Sequence, residues 1–194
     1  MTDTDRLPPI PAEQQTAAQR AAAKEIEAGP RGAVVGPFIA ALRSPEFMRR
    51  LQKLGEYLRF QNALGPRLTE LTVLIVARHC TAQFEWVMHA PLAAERGIGP
   101  EAIDAIAAGK RPTVLAEDEA SVLDFVAELL RSQTVSDGVY ERAVAAIGEA
   151  GVVDLVGTVG YYSMLAMILN VAQTPLPPDK APVLKPLDGL DWNR

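Results

Sequence analysis

Apolar and polar positions in this chain repeat at helical spacing, and no run alternates strictly enough to form a strand. Proline, glycine and capping residues divide the pattern into separate helices. The predicted helices span residues 13–28, 38–43, 45–60, 68–80, 82–96, 99–108, 116–132, 137–150 and 152–173. Their order predicts an all-α fold with two related helical halves.

The same pattern predicts one domain over residues 1–194, with a loose N-terminal arm over 1–11 and a proline-rich C-terminal arm over 174–194. Pro91 is expected to kink or restart its helix, because it cannot donate the intrahelical hydrogen bond. Gly151 is expected to separate the last two helices. The positions expected to face the core in the helix over 45–60 are Phe47, Leu51, Leu54 and Leu58.

One stretch is long and apolar enough to raise the question of a membrane span. No charged residue lies between Leu155 and Pro178, and about 20 predominantly apolar residues suffice to cross a bilayer. Several glycines and uncharged polar side chains interrupt the stretch, and it lacks a basic N-terminal flank. These features favour a helix buried in the core or in a subunit interface, and we predict no membrane partner.

Composition narrows the class of protein further. With 48% hydrophobic residues, 22% charged residues and a net charge of −5, the chain resembles an ordinary globular protein. The net charge argues against nucleic acid as a partner, because phosphate binding needs a clustered basic surface. The most basic stretch, 43–59, is interrupted by Glu46 and Glu56, so we expect a solvated helix face there, Arg59 included.

The cysteine count and the N-terminus bear on where the protein works. The single cysteine excludes a disulfide framework within the chain and fits a reducing compartment. The acidic N-terminus, followed by prolines, is unlike a signal peptide. We therefore expect a cytoplasmic location.

The candidate chemistry is concentrated in residues 79–89, which hold both histidines and the only cysteine. Glu85 and His89 are spaced i,i+4, so their side chains lie on one face of a helix. Histidine titrates near neutrality, and an oriented Glu–His pair is suited to acid/base work. The alternative is a structural pair that packs inside a helix bundle.

The region from residue 70 to 109 resembles the carboxymuconolactone decarboxylase and alkylhydroperoxidase D superfamily. The peroxidase branch has a glutamate twelve residues before a Cys-x-x-Cys motif and a histidine four residues after the second cysteine. Counted back from His89, the two cysteine positions are Glu85 and Ala82, and Glu70 stands twelve residues before Ala82. The matching residues are Glu70-Leu71, Ala77-Arg78, Glu85-Trp86-Val87-Met88-His89, Leu92-Ala93, Gly97-Ile98 and Glu101-Ala102-Ile103.

Both cysteines of the redox motif are missing, which argues strongly against a dithiol peroxidase. The resemblance therefore implies the decarboxylase branch: a lyase that needs no cofactor and no metal and acts on a small carboxylated lactone or related acid, in the breakdown of aromatic compounds. In that role His89 is the acid, and Glu70 and Glu85 set its protonation. The resemblance also implies a homo-oligomer, either dimer, trimer or hexamer.

Four further side chains are predicted to bind the substrate. Arg78 is the nearest cation for a carboxylate. His79 either lines the same cavity or caps a helix C-terminus. Trp86 and Tyr161 belong either to the pocket wall or to the core.

Two other functions remain open at this stage. The first is a non-enzymatic, oligomeric protein that binds a small ligand, in which Glu70, Glu85 and His89 do not converge on a solvent-connected cavity. The second is a peroxide reductase that uses Cys80 with an external thiol, although a lone cysteine is more often a small buried hydrophobe. The two histidines, ten residues apart, match no recognised zinc spacing.

Overall fold

The computed structural model describes residues 5–186, which form eight α-helices and no strand. A single 3-10 turn, Ala12–Gln14, precedes them. The helices are α1 (Ala17–Glu27), α2 (Pro37–Ala41), α3 (Pro45–Phe60), α4 (Gly65–His79), α5 (Gln83–Glu95), α6 (Pro100–Ala107), α7 (Glu117–Ser132) and α8 (Asp137–Ala172). The prediction of an all-α fold is confirmed.

Helix α4 forms the centre of the protein. Every residue from 68 to 78 is buried, and the helix packs against α5, α7 and α8. A helix that is surrounded on all sides needs apolar residues all round, and the run Leu71–Ala77 supplies them apart from Thr72, whose hydroxyl donates to the carbonyl of Leu68. This position also places Glu70 and Arg78 inside the protein.

Helix α8 contains the long apolar stretch. By length and composition alone it is able to cross a membrane, but 56% of its most apolar window is buried inside the protein. It packs along α7 and α4. Its apolar residues are therefore accounted for largely by core packing, as in the core helix of a soluble protein.

The predicted core face of α3 is wrong at two positions. Phe47 and Leu54 are exposed by 41% and 48%. The helix is rotated so that Met48, Gln52 and Gly55 are buried instead, together with the predicted Leu51 and Leu58. Gly55 explains the rotation, because its missing side chain makes room for the hydroxyl of Tyr161 from α8.

Two predicted interruptions fall differently in the structure: α5 does not restart at Pro91, and the break in α8 is at Gly148. Pro91 lies inside a continuous α5. Its ring is exposed, and the neighbouring turns are held by buried residues such as His89 and Ala93, so the loss of one hydrogen bond does not end the helix. In α8 the backbone leaves helical geometry at Gly148 (φ 71°, ψ 169°), whereas Gly151 is helical and packs against Ile147. Only glycine readily adopts the backbone conformation seen at Gly148.

Both chain arms contact the helical body where they are described. The backbone N–H of Arg6 donates to the carbonyl of Ala172 at 2.8 Å. Near the other end, Leu184 is buried and its backbone is bound by the side chain of Gln83. Residues 1–4 of the predicted N-terminal arm and 187–194 of the C-terminal arm lie outside the described residues.

Candidate active site

A tight turn between α4 and α5 sets the geometry of the site. Thr81 adopts a left-handed conformation with φ 48°, and the N–H of Ala82 donates to the carbonyl of Ala77 at 2.8 Å. The chain therefore reverses within three residues, and α5 packs along α4. As a result, Glu70 near the start of α4 faces His89 in the middle of α5.

The imidazole of His89 lies between two carboxylates. Its Nδ1 is 2.6 Å from Glu70 Oε2, and its Nε2 is 3.2 Å from Glu85 Oε2. All three side chains are at least nine-tenths buried. With an acceptor oxygen facing each ring nitrogen, the form that satisfies both contacts is the imidazolium, which donates from both.

The electrostatic balance favours the same protonation state. Burial lowers the pKa of His89, but the hydrogen bonds and negative charges of Glu70 and Glu85 outweigh it and raise the pKa from 6.5 to about 8. The ring is consequently charged for the most part at neutral pH, and it is able to act as a proton donor. Its edge-to-face contact with Tyr162, at 5.4 Å between ring centroids, further fixes its plane.

Glu85 and His89 line a cavity of about 90 Å³. Tyr162 and Leu165 of α8 and Phe84 of α5 contribute apolar or aromatic wall. Glu70 does not line this cavity; it lies on the far side of the imidazole, at the edge of a surface pocket of about 280 Å³. The carboxylate of Glu85 therefore faces the cavity, whereas that of Glu70 holds the imidazole ring from the other side.

Two arginines line the same cavity. Arg31 comes from the loop after α1, and Arg59 comes from the last turn of α3. Within residues 5–186, no carboxylate lies at ion-pair distance from either guanidinium. Buried Nε of Arg31 has no hydrogen-bond partner there. The cavity thus combines a proton donor with two cations that are available to an anion.

The family model for the carboxymuconolactone decarboxylase family matches residues 45–128, which include Glu70, Glu85, His89 and Arg59. The match agrees with the all-helical fold and with the glutamate and histidine spacing. Over residues 45–128 the chain is therefore similar to the carboxymuconolactone decarboxylase family. The predicted family resemblance is confirmed.

A crystal structure from Agrobacterium tumefaciens has a similar fold, with a TM-score of 0.64 and 19% sequence identity. The match covers 72% of this chain and 96% of the other. That protein is described as being of unknown function and as a suggested antioxidant defence protein, AhpD. At this identity the likeness establishes the fold alone. No curated protein matches the chain in sequence.

The superfamily motif correctly indicated which residues meet, but the predicted substrate-binding residues lie elsewhere. Arg78 is fully buried, and its guanidinium donates to Thr81 Oγ1 at 2.9 Å, to the carbonyl of Lys185 at 3.0 Å and to that of Ala107 at 3.2 Å. It therefore stabilises the α4–α5 turn and does not line the cavity. The guanidiniums that line the cavity are those of Arg31 and Arg59 instead.

The other three predicted binding residues stand behind the cavity or away from it. His79 is half-buried at the end of α4, where burial lowers its pKa. Trp86 is buried in the core and does not line the cavity. Tyr161 is buried one layer back: its hydroxyl accepts a hydrogen bond from Arg31 at 3.3 Å, and its ring packs edge-on against Tyr162.

Sequence reasoning missed both arginines for different reasons. Arg31 follows a Gly-Pro pair that is typical of a helix end. Arg59 belongs to a stretch whose mixed charges are typical of a solvated helix face. A weak signal for the first existed in Gly36, which takes φ 55° and whose absent side chain lets the ring of Phe84 approach. That contact brings the loop carrying Arg31 against α5.

Cys80 does not line the cavity beside His89. Burial raises the pKa of the Cys80 thiol, which disfavours the reactive thiolate. Among residues 5–186, no group of three or more His, Cys, Asp and Glu side chains is arranged to hold a metal ion.

Proposed function

We propose that this protein is a cofactor-independent carboxy-lyase that releases carbon dioxide from a small carboxylated lactone or related acid. The observation that carries the proposal is the pairing of His89 with Glu70 and Glu85 at a cavity that also holds two guanidiniums, neither with a carboxylate partner among residues 5–186. The match of residues 45–128 to the carboxymuconolactone decarboxylase family supports the proposal, although one fold hosts several reactions.

The reaction requires one bond to break and one proton to move. As the bond between the substrate carbon and its carboxylate breaks, carbon dioxide leaves and the electron pair is delocalised onto the lactone carbonyl as an enolate. The imidazolium of His89 then donates its Nε2 proton to the carbon, and the neutral ring takes a proton from solvent before the next turnover. A pKa of about 8 gives His89 the proton at neutral pH.

The neighbouring charges have separate tasks. Glu70 accepts from Nδ1 and keeps the ring in one orientation, with Nε2 beside Glu85 at the cavity wall. Glu85 stabilises the charged ring from the cavity side. Arg31 and Arg59 provide positive charge for a substrate carboxylate and for the enolate oxygen that forms as the bond breaks.

The experiment is an assay of carbon dioxide release from a panel of carboxylated lactones and related acids. His89→Ala and Glu85→Ala are expected to remain folded by circular dichroism and to lose turnover by about 10² to 10⁴. His79→Gln is the matched control, since this second histidine does not line the cavity, and it should keep wild-type turnover. Full activity of both site variants on an identified substrate would falsify the assignment.

The non-enzymatic ligand-binding protein is retained as the alternative outcome of that assay. It predicted that the three residues would not converge on a solvent-connected cavity. The three side chains meet, but only Glu85 and His89 line this cavity, and Glu70 lines a neighbouring pocket. Acids that bind without ever releasing carbon dioxide would favour it. The cytoplasmic location and the homo-oligomer stay predictions alongside the lyase activity.

A further inference from the structure

The cavity beside His89 has a polar floor and an apolar rim. Glu85, His89 and Tyr162 are buried at the floor. Towards solvent the lining residues are Val35 and Met88, which are exposed by 54% and 41%. Single exposed apolar residues are ordinary on a protein surface, but here both border the cavity that Glu85 and His89 line.

The volume of the cavity limits what enters it. About 90 Å³ is well below the range of roughly 300–1,000 Å³ that holds a drug-sized molecule. This space admits a carboxylate and the carbon atoms next to it, but not a complete ring system with substituents. The remainder of a larger substrate has to lie across the rim, against Val35 and Met88.

The two exposed residues of the cavity lining are both apolar, whereas Arg31 and Arg59 are half-buried. Between Val35 and Met88 the lining residues nearest in sequence are Gly36, Pro37 and Phe84, which offer ring, aliphatic or backbone surface. The cationic groups, Arg31 and Arg59, are the counterpart for one acidic end. Pockets of this kind, mostly apolar with a few fixed polar groups, recognise amphiphilic small molecules.

We propose that the ligand is a carboxylic acid with an apolar aryl or alkyl group, bound with its acidic end beside His89 and its apolar group across Val35 and Met88. The claim that acids of this class are decarboxylated rests on the proposed function. The claim that they bind does not. A polar molecule with acidic groups at both ends fits the rim poorly, because its second carboxylate would lose water against apolar surface.

The test measures binding without turnover. Dissociation constants of acetate, phenylacetate and succinate are obtained by calorimetry, and the ring resonances of His89 report whether each acid reaches the cavity. Burying one face of the phenyl group on the rim is expected to make phenylacetate bind at least about tenfold tighter than acetate. Succinate should gain much less. Phenylacetate binding no tighter than acetate, or weaker than succinate, would overturn the inference.

A matched pair of variants tests the location. Val35→Asn should remove most of the advantage of phenylacetate over acetate, while Val153→Asn, at a more exposed valine on α8 (71%), should leave it unchanged. Equal effects of the two substitutions would overturn the assigned rim, and so would a change of oligomeric state on Val35→Asn, since a second copy would then cover it.

The two proposals fail in different ways. If phenylacetate-type acids bind tightly but no acid releases carbon dioxide, this inference is supported and the lyase activity is refuted. If only small polar acids release carbon dioxide and phenylacetate is not preferred in binding, the lyase activity is supported and the apolar substrate class is refuted.

Discussion

Glu70 Oε2 lies 2.6 Å from His89 Nδ1, although the two residues are 19 positions apart and belong to different helices. The contact exists because the Thr81 turn folds α5 back along α4. It explains how a histidine at the wall of a cavity is held in one orientation and kept charged. The titration of that histidine follows directly from the contact.

Replacing the carboxylate of Glu70 should lower the pKa of His89. Glu70→Gln removes one of the two negative charges that raise the pKa to about 8, and the lowering effect of burial then weighs more. The ring resonances of the two histidines, followed by NMR across pH, measure this change. His79 is an internal control, because its pKa is lowered by burial and does not depend on Glu70. An unchanged midpoint for His89 would contradict the ion pair.

The same contact makes stability depend on pH. A histidine whose folded-state pKa is above its unfolded value stabilises the protein below about pH 6.5, and this contribution is lost as the pH rises through about 8. The wild-type free energy of unfolding should therefore fall by up to about 2 kcal/mol between pH 6 and 9 relative to His89→Gln. Urea denaturation of both proteins at each pH measures it. Parallel pH profiles would argue against a charged His89.

Gly55 tests the packing behind the cavity. A Cβ at this position would lie 1.9 Å from the hydroxyl oxygen of Tyr161 and 2.6 Å from Nη2 of Arg31. Gly55→Ala is therefore expected to destabilise the protein by about 1–3 kcal/mol and to displace Arg31 from the cavity. Denaturant unfolding and binding of acetate are the measurements.

A second helical glycine supplies the control for that substitution. A Cβ at Gly160 of α8 meets no atom within 4 Å. Gly160→Ala should be neutral or stabilise the helix by about 0.5–1 kcal/mol. If both substitutions had the same effect, the crowding at Gly55 would not explain the loss.

Gln83 is expected to hold the C-terminal segment. Its Oε1 accepts from the N–H groups of Val183 and Leu184, both at 3.0 Å, and its Nε2 donates to the carbonyl of Leu184. In Gln83→Ala these two amides should lose protection from hydrogen exchange, which mass spectrometry or NMR detects. Gln61→Ala, at an exposed glutamine at the end of α3, should leave them protected. Protection that survives in both variants would assign the segment to the burial of Leu184 alone.

The helices and the Glu85–His89 pair could be predicted from the sequence because their signals are local. Proline at the first helical position marked the start of α3, and the i,i+4 spacing of Glu85 and His89 placed both on one face. Glu70 required the family spacing, since nothing in α4 alone distinguishes it from a charge at the surface. Its partner is determined by the turn at Thr81.

The remaining details depended on packing between distant segments. Periodicity gave the wrong core face for α3, because the position of Tyr161 on α8 decides which residues are buried. Arg78 resembled a substrate cation as a charge in an apolar helix, and only the fold provides the three oxygen acceptors that it satisfies. Arg31 and Arg59 reach the cavity from segments outside the motif.

The bond from Arg78 to the carbonyl of Lys185 joins the α4–α5 turn to a part of the chain 107 residues further on. During synthesis, the turn between Glu70 and His89 emerges from the ribosome long before residues 183–185 are made. The reversal that creates the site therefore acquires its final hydrogen bonds only after translation of the whole domain. Helices α4 and α5 are therefore translated first, and the hydrogen bonds that hold the turn between them are completed later.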